Sequence, residues 1–251
     1  RGFHVSIFAK ALPPDTTSNK AWGGFTPTST LVNRRTPNWD LQFRRAVKIA
    51  YHEHQLLVGR GYGVRWIDGY SQTNSSHPRD RPDQEDGDPR EAANPLVPRS
   101  FEINGVLLGH AQHPFPTLYA RRSPMLQFDP DIYLDALMRD VITFGGSISV
   151  RKFDSPGDLM ALAEPIIVNC TGLGSKELFR DPELTPVKGQ LTVLVPQPEV
   201  DYSLGPMIPR SSGIVLGHVR QHGVSSLDVD EEEQRRVIES AIRTFSAMRP
   251  P

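Results

Sequence analysis

The feature that most narrows the folding options is the run at residues 165–169 (PIIVN), which leads into the turn Cys170-Thr171-Gly172 with Gly174 just beyond. A short apolar run bounded by proline and polar residues reads as a buried strand. Strand and helix patterns alternate in both halves of the chain, so the expected class is mixed α/β.

The other elements follow from local chemistry. Residues 4–9 (HVSIFA) alternate as a short strand, and a polar loop (PPDTTSN, 13–19) runs from it to Gly23-Gly24. Thr36-Pro37 has the residue types of a helix N-cap and first helical position. Phe43, Val47, Ala50 and either His54 or Leu57 give that helix an apolar face, and Gly59 and Gly61 stop it. Residues 64–67 predict a strand. Asp129-Pro130 caps a second helix running to about Phe144, with Tyr133, Leu137, Val141 and Phe144 as its buried stripe. Gly145-Gly146 ends it, and strands are expected at 147–152, 190–195 and 213–219. A last helix begins near Asp228, with Val237, Ile238, Ala241, Ile242 and Phe245 on its apolar face. Its acidic run at 230–233 reads as helix chemistry, because the macrodipole favours anions at an N-terminus. Residues 71–100 are rich in Ser, Asn, Asp, Pro and Arg and predict a mobile surface loop.

Composition excludes some functions. The net charge is −1, so no strong field recruits nucleic acid or an anionic membrane. No apolar run approaches the ~20 residues of a membrane helix. The one cysteine, Cys170, cannot form an internal disulfide and belongs to no CxxC pair, which fits a reducing compartment and a cytoplasmic location. No signal peptide is evident. The lack of an initiator Met and the almost immediate strand place the expected natural start upstream of Arg1.

The usual catalytic signatures are absent: there is no GxSxG elbow, Walker loop, HExxH or GxGxxG. His52 and His54 flank Glu53, and His110 and His113 are three apart. Neither pair has a third ligand at metal spacing, so no metal site is expected. Three segments carry more. The turn after residue 169 lies where α/β sheets bind ligands, at a strand's carboxyl end, yet the residues fit a plain strand-to-helix turn equally well. The loop Thr16-Thr17-Ser18 offers hydroxyls in a row, with Gly23 and Gly24 downstream; in isolation it is an ordinary polar loop. The stretch 206–218 (PMIPRSSGIVLGH) is, by itself, a hairpin.

Together these segments resemble the D-amino-acid oxidase family of FAD-dependent oxidoreductases. Asn169-Cys170-Thr171-Gly172 is followed at family spacing by Arg180-Asp181-Pro182, Leu184, Pro186 and Gly189-Gln190. The family's hydroxyl-rich loop matches Thr16-Thr17-Ser18 with Gly23, and its proline-to-L-G-G hairpin matches Pro209 through Leu216-Gly217. The resemblance implies an α/β fold in which an FAD-binding Rossmann-like domain (1–60 and 128–190, incomplete) interleaves with a mostly antiparallel-sheet substrate domain (61–127 and 191–251).

It further implies FAD as cofactor, and a D-amino acid and oxygen as partners. The reaction is oxidative deamination to an imine and 2-oxo acid with hydrogen peroxide. By the same resemblance Thr16, Thr17 and Ser18 contact the FAD phosphates and ribityl chain, and Gly23 and Gly24 approach the flavin ring. Phe153, Cys170, Thr171 and Gly172 line the adenosine side, and Tyr202 is a catalytic-pocket tyrosine. The family's GxGxxG turn falls before Arg1, and its substrate-carboxylate arginine and glycine-rich flavin loop fall after Pro251. Arg210 is the candidate surrogate for that arginine, and Pro206 stands where the family has a second pocket tyrosine. The chain by itself is therefore expected to bind FAD weakly or not at all. The other reading is a non-catalytic truncated remnant or binding module on the same scaffold.

Overall fold

Thr36 and Pro37 open the first helix as their residue types dictate. The Thr36 side chain accepts the Trp39 amide at 3.1 Å, and Pro37 takes the first helical position of α1 (Pro37–Leu56). The computed structural model describes residues 2–27, 32, 35–76 and 105–249. Most of the polar segment expected at 71–100 lies outside the described residues, and Ser71, Gln72 and Thr73, assigned to that loop, instead finish a strand, β2 (Val64–Thr73).

Two sheets organise the described residues. In the smaller, β1 (Ser6–Ala9) pairs in parallel with β5 (Ser147–Val150), Ser6 opposite Ser147. The larger has seven strands. Besides β2 it contains β3 (Val106–Gly109), β4 (Tyr119–Phe128), β6 (Val187–Leu194), β7 (Tyr202–Leu204), β8 (Met207–Arg210) and β9 (Gly213–His222). Their order is β3-β4-β2-β7-β8-β9-β6. Every neighbour is antiparallel except β2 and β7, which run parallel with Asp68 opposite Tyr202. The fold is therefore mixed α/β with a mostly antiparallel main sheet.

The second helix, α2 (Pro130–Thr143), starts where expected, but its stripe shifts. Pro130 and Ala136 are the buried positions, Tyr133 and Val141 are half-buried, and Leu137 and Phe144 face outward. Two short helices, α3 (Pro156–Met160) and α4 (Gly174–Leu178), follow β5. The last helix, α5 (Glu231–Ser246), is capped by Asp230, whose carboxylate accepts the Glu233 amide at 3.0 Å. The acidic run is thus helix chemistry. Val237, Ala241 and Phe245 pack on the main sheet, while Ile242 stays exposed.

The buried strand expected at 165–169 is not one. These residues pair with no strand among the described residues, and Ile166, Ile167 and Val168 are 69%, 45% and 79% exposed. An all-apolar strand needs neighbours on both edges and cover on both faces. Among the described residues β1 and β5 pair only with each other, so no ladder forms there.

The core lies on the two faces of β8, all four residues of which are buried. Successive residues of a strand point to opposite faces. Met207 joins Phe115, Ala120, Leu204, Ile214 and Leu216 beneath α5. Ile208 joins Ile67 and Val215 on the other face, under Trp22, Met125 and Leu191. Near the α5 end, His113 is buried, stacks on Phe115 at 5.5 Å and adjoins Arg249, which donates to the carbonyls of His110 and His113.

Two predictions follow from this packing. Ile208 is 0% exposed, so Ile208→Ala should cost about 2–5 kcal/mol. Ile242→Ala, at a site 58% exposed, should stay within about 0.5 kcal/mol. Urea unfolding of both variants measures the contrast, and equal midpoints would remove Ile208 from the core. Burial, with the nearby His110 and Arg249 charges, lowers the His113 pKa below its ordinary value. A histidine depressed in the folded state is kept neutral there, so the unfolded chain binds the proton first as pH falls. Its contribution to stability is therefore intact above the unfolded pKa and lost as pH drops through the folded one. The urea midpoint should decline from pH 7 to pH 5 and decline less in His113→Phe. His54, also lowered by burial, supplies part of the slope that remains.

Candidate active site

The carboxyl ends of β1 and β5 open into the segments that the sequence singles out. β1 leads directly into residues 10–27. β5 leads into Arg151, whose amide donates to the Ala9 carbonyl at 2.9 Å, and then to Phe153. Phe153 is half-buried, edge-on to Phe8 at 5.9 Å, with the Arg151 guanidinium 4.8 Å over its ring.

Within the first loop the Thr16 hydroxyl bonds the Asn19 side chain at 2.6 Å and caps a short 3-10 turn, Thr17–Lys20. Thr16 therefore shapes the turn, and Thr17 and Ser18 present exposed side chains. Asn19 is buried and donates through Nδ2 to Asp131 at 2.8 Å. The loop then returns along the end of β4: the Phe128 amide donates to the Gly23 carbonyl at 2.7 Å, and the Phe25 amide to the Leu126 carbonyl at 2.9 Å. Gly23 has φ +98, and a Cβ there would lie 2.6 Å from the Phe128 carbonyl oxygen. Only glycine meets both demands. A Cβ on Gly24 would run into the Trp22 ring folded over it. Trp22 also donates through Nε1 to the Pro206 carbonyl at 3.2 Å, tying the loop to the β7–β8 turn.

The second segment is a surface turn. Asn169 accepts from the Thr171 amide at 3.1 Å and the Thr171 hydroxyl at 2.8 Å, and donates to Ser175 at 2.9 Å. Cys170, Thr171 and Gly172 are all exposed, with Gly172 at φ +55 leading into α4. Cys170, Thr171 and Gly172, assigned with Phe153 to the adenosine side by the resemblance, thus lie on accessible backbone beyond an unpaired apolar run.

Tyr202 sits apart from the loop. Its ring packs with the Met207–Phe115 cluster and meets Tyr70 edge-on at 5.8 Å. Trp22 packs on the Ile208–Val215 cluster, so the two rings contact opposite faces of β8. Burial, reinforced by Asp201 and Tyr70, raises the Tyr202 phenol above its ordinary pKa and keeps it protonated near neutrality. A cavity of 410 Å³ beside it is lined by Arg65, Trp66, Asp68, Tyr70 and Asp201.

The sequence marks Arg210 only as a surrogate clamp and Asp129 only as a helix cap and does not mark Gln127; the structure puts all three polar groups under the loop. Arg210 is 8% exposed and donates through Nη1 to the Asn19 carbonyl at 3.3 Å. Gln127 is 1% exposed, accepts from Arg65 Nε at 2.6 Å and donates to the Pro209 carbonyl. Asp129 caps no amide of α2 with its side chain; its Oδ2 accepts the Ser211 amide at 2.8 Å. The available signal was a polar side chain inside an apolar run: Gln127 between Leu126 and Phe128, and Arg210 directly after Met207-Ile208-Pro209. Among the described residues no three His, Cys, Asp or Glu gather as a metal set, and no helix is long and apolar enough to cross a membrane.

Solved structures share this fold. Glycine oxidase from Geobacillus kaustophilus superposes with a TM-score of 0.60 at 16% identity, over 98% of this chain and 73% of that one. L-proline dehydrogenase from P. horikoshii gives 0.62 at 14% identity, over 98% and 72%. In sequence, D-amino-acid oxidase from Dictyostelium discoideum is 27% identical over 229 residues, which is 86% of this chain. The chain spans 58% of the length of that relative. The family model described as DAO, FAD dependent oxidoreductase, matches residues 1–250. The chain therefore belongs to the DAO family of FAD-dependent oxidoreductases.

Proposed function

We propose that this chain forms part of a flavoprotein oxidase that deaminates a D-amino acid to a 2-oxo acid by way of the imine. The reading is supported by the family, by D-amino-acid oxidase relatives in several organisms, and most by one observation. A loop carrying exposed Thr17 and Ser18, and a glycine pair that tolerates no side chain, is fixed against the main sheet at the carboxyl end of β1. Residues 1–60 and 128–190 form the flavin part in this reading, and 61–127 and 191–251 the substrate part. β1 and β5 fall in the first set, and the seven-stranded sheet in the second apart from the start of β6 and the end of β4.

The residues present fit FAD in chemistry. Thr17 and Ser18 offer hydroxyl donors suited to phosphate oxygens, with Thr16 holding the turn that presents them. The bare backbone at Gly23 and Gly24 suits close approach of a planar ring. Phe153, Cys170, Thr171 and Gly172 offer an aromatic face and open backbone for the adenosine side. When bound, FAD supplies a two-electron acceptor for the hydride of the substrate α-carbon, and oxygen takes the electrons to give peroxide. Tyr202, held protonated by burial, stands as a hydrogen-bond donor at the wall of the 410 Å³ cavity, where it orients an amino acid.

A second reading, a non-catalytic binding module on the same scaffold, is favoured by one feature. Arg210, the candidate carboxylate clamp of this hairpin, is sealed beneath the loop and already holds the Asn19 carbonyl.

Titration of the chain with FAD, followed by quenching of flavin fluorescence, tests the first reading. Weak but saturable binding is expected. Replacing Thr17 and Ser18 together with alanine removes two charge-assisted hydrogen bonds at about 1.5–3 kcal/mol each, so affinity should fall at least about a hundredfold. No saturable response would mean that the chain by itself does not hold the flavin, and a double variant that binds like the parent would sink the assignment of Thr17 and Ser18 to the cofactor. At saturating FAD, peroxide formation from D- but not L-amino acids separates the oxidase from the binding module.

A further inference from the structure

Arg210 carries more than its one bond to Asn19. Of its guanidinium, Nη1 is engaged, whereas Nε and Nη2 have no partner although the residue is 8% exposed. The Nε–Nη2 edge is the fork with which arginine takes a carboxylate side-on. A Cβ on Gly23 would come within 3.7 Å of Nε, so the fork lies directly under the glycine of the loop. The buried carboxylate of the same region is Asp129, 7% exposed, with Oδ2 on the Ser211 amide and Oδ1 unpartnered. Asp129 and Asp131 are also the groups whose charge favours the ionised guanidinium against its burial. A ligand carboxylate at this fork would face both of those anions and would have to pass beneath the loop, which leaves Asp129, acting on the guanidinium from beyond ion-pair contact, as its counter-charge.

We infer that Arg210 and Asp129 are positioning residues, two buried opposite charges that stand beyond ion-pair contact and, each through its own bond to backbone, latch the loop at 16–24 onto the β4–α2 junction and β8. Four independent ties converge there. Arg210 holds the Asn19 carbonyl, Asp131 holds the Asn19 amide group, Phe128 holds the Gly23 carbonyl, and Asp129 holds the Ser211 amide that follows Arg210. The consequence for the cofactor rests on the flavin reading proposed above: the latch sets how Thr17, Ser18, Gly23 and Gly24 are presented.

Amide hydrogen exchange on the chain tests the latch without any flavin. In Arg210→Met, exchange at Asn19, Ala21 and Phe25 should rise about tenfold or more while the amides of β6 and β9 keep their wild-type rates. Because removing one partner leaves the other as an uncompensated buried charge, Asp129→Asn added to Arg210→Met should exchange no faster than the faster single variant. Loop rates that stay at wild type, additive increases, or a uniform rise across the main sheet would each overturn the pairing. Should Arg210→Met not fold, Arg210→Lys keeps the charge without the fork and should still loosen the loop several-fold. Wild-type exchange in that variant would equally overturn the inference. FAD titration separates the two layers. A Thr17→Ala/Ser18→Ala chain that binds FAD like the parent defeats the flavin reading of the loop and leaves the exchange result standing, and a parent and Arg210→Met of equal FAD affinity defeats the positioning role.

Discussion

Everything in the main sheet is arranged around one constraint: Met207, Ile208, Pro209 and Arg210 of β8 are all buried, so both faces of that strand need cover. Each face is covered by a different kind of element. On one side the cover is helical, with Val237, Ala241 and Phe245 of α5 closing over Met207, Ile214 and Leu216. On the other it is the irregular loop after β1, whose Trp22 lies on Ile208 and Val215. Amphipathic helices cover sheets in most α/β folds. A polar loop in that role has to satisfy its own backbone, and the Gly23 and Phe25 bonds to the end of β4 do so.

That division explains which elements could be read from sequence. Thr36-Pro37 and Asp230 set helix starts through bonds within three residues, so local chemistry suffices. β4 was unreadable because Arg121, Arg122 and Pro124 break any alternation. The strand tolerates them for tertiary reasons. Pro124 opposes Asp68 of β2, and among the described residues the last pairing of β3 is Val106 with Arg122. The run at 165–169 fails in the opposite direction: its composition is that of a buried strand, but a strand exists through its neighbours, and none pairs with it among the described residues. At the candidate site, the hydroxyls and glycines of the loop were legible as residue types. Arg210, Asp129 and Gln127 were not, because their roles are fixed by partners 62 to 191 residues away.

The small parallel sheet is the energetic counterpoint to the main one. Parallel sheets are normally covered on both faces. Here Val5, Ile7 and Val150 are 48%, 38% and 66% exposed, so little of the stabilisation of β1 against β5 comes from burying those side chains. It comes from the parallel ladder, from the Ser147 amide on the Val5 carbonyl at 2.9 Å, and from the edge contact of Phe8 with Phe153. A two-stranded ladder is marginal by itself. The loop at 10–27 therefore leaves a weakly held strand and gains its order at its far end, where it meets β4 and β8.

That asymmetry gives the polar seam its purpose. An apolar seal between loop and sheet would be indifferent to small slides, since burial is nondirectional. Hydrogen bonds are directional, and they penalise any register but one. The seam combines both kinds of contact in sequence order. Trp22 contributes area over Ile208 and Val215, while Asn19 and Gly23, three residues to one side and one to the other, contribute direction through Arg210, Asp131 and Phe128. Buried polar groups of this sort add little net stability once their desolvation is counted. Their value lies in fixing the loop backbone to one place, which is what a surface of exposed hydroxyls and bare glycines requires if it is to meet a ligand that is itself rigid and planar.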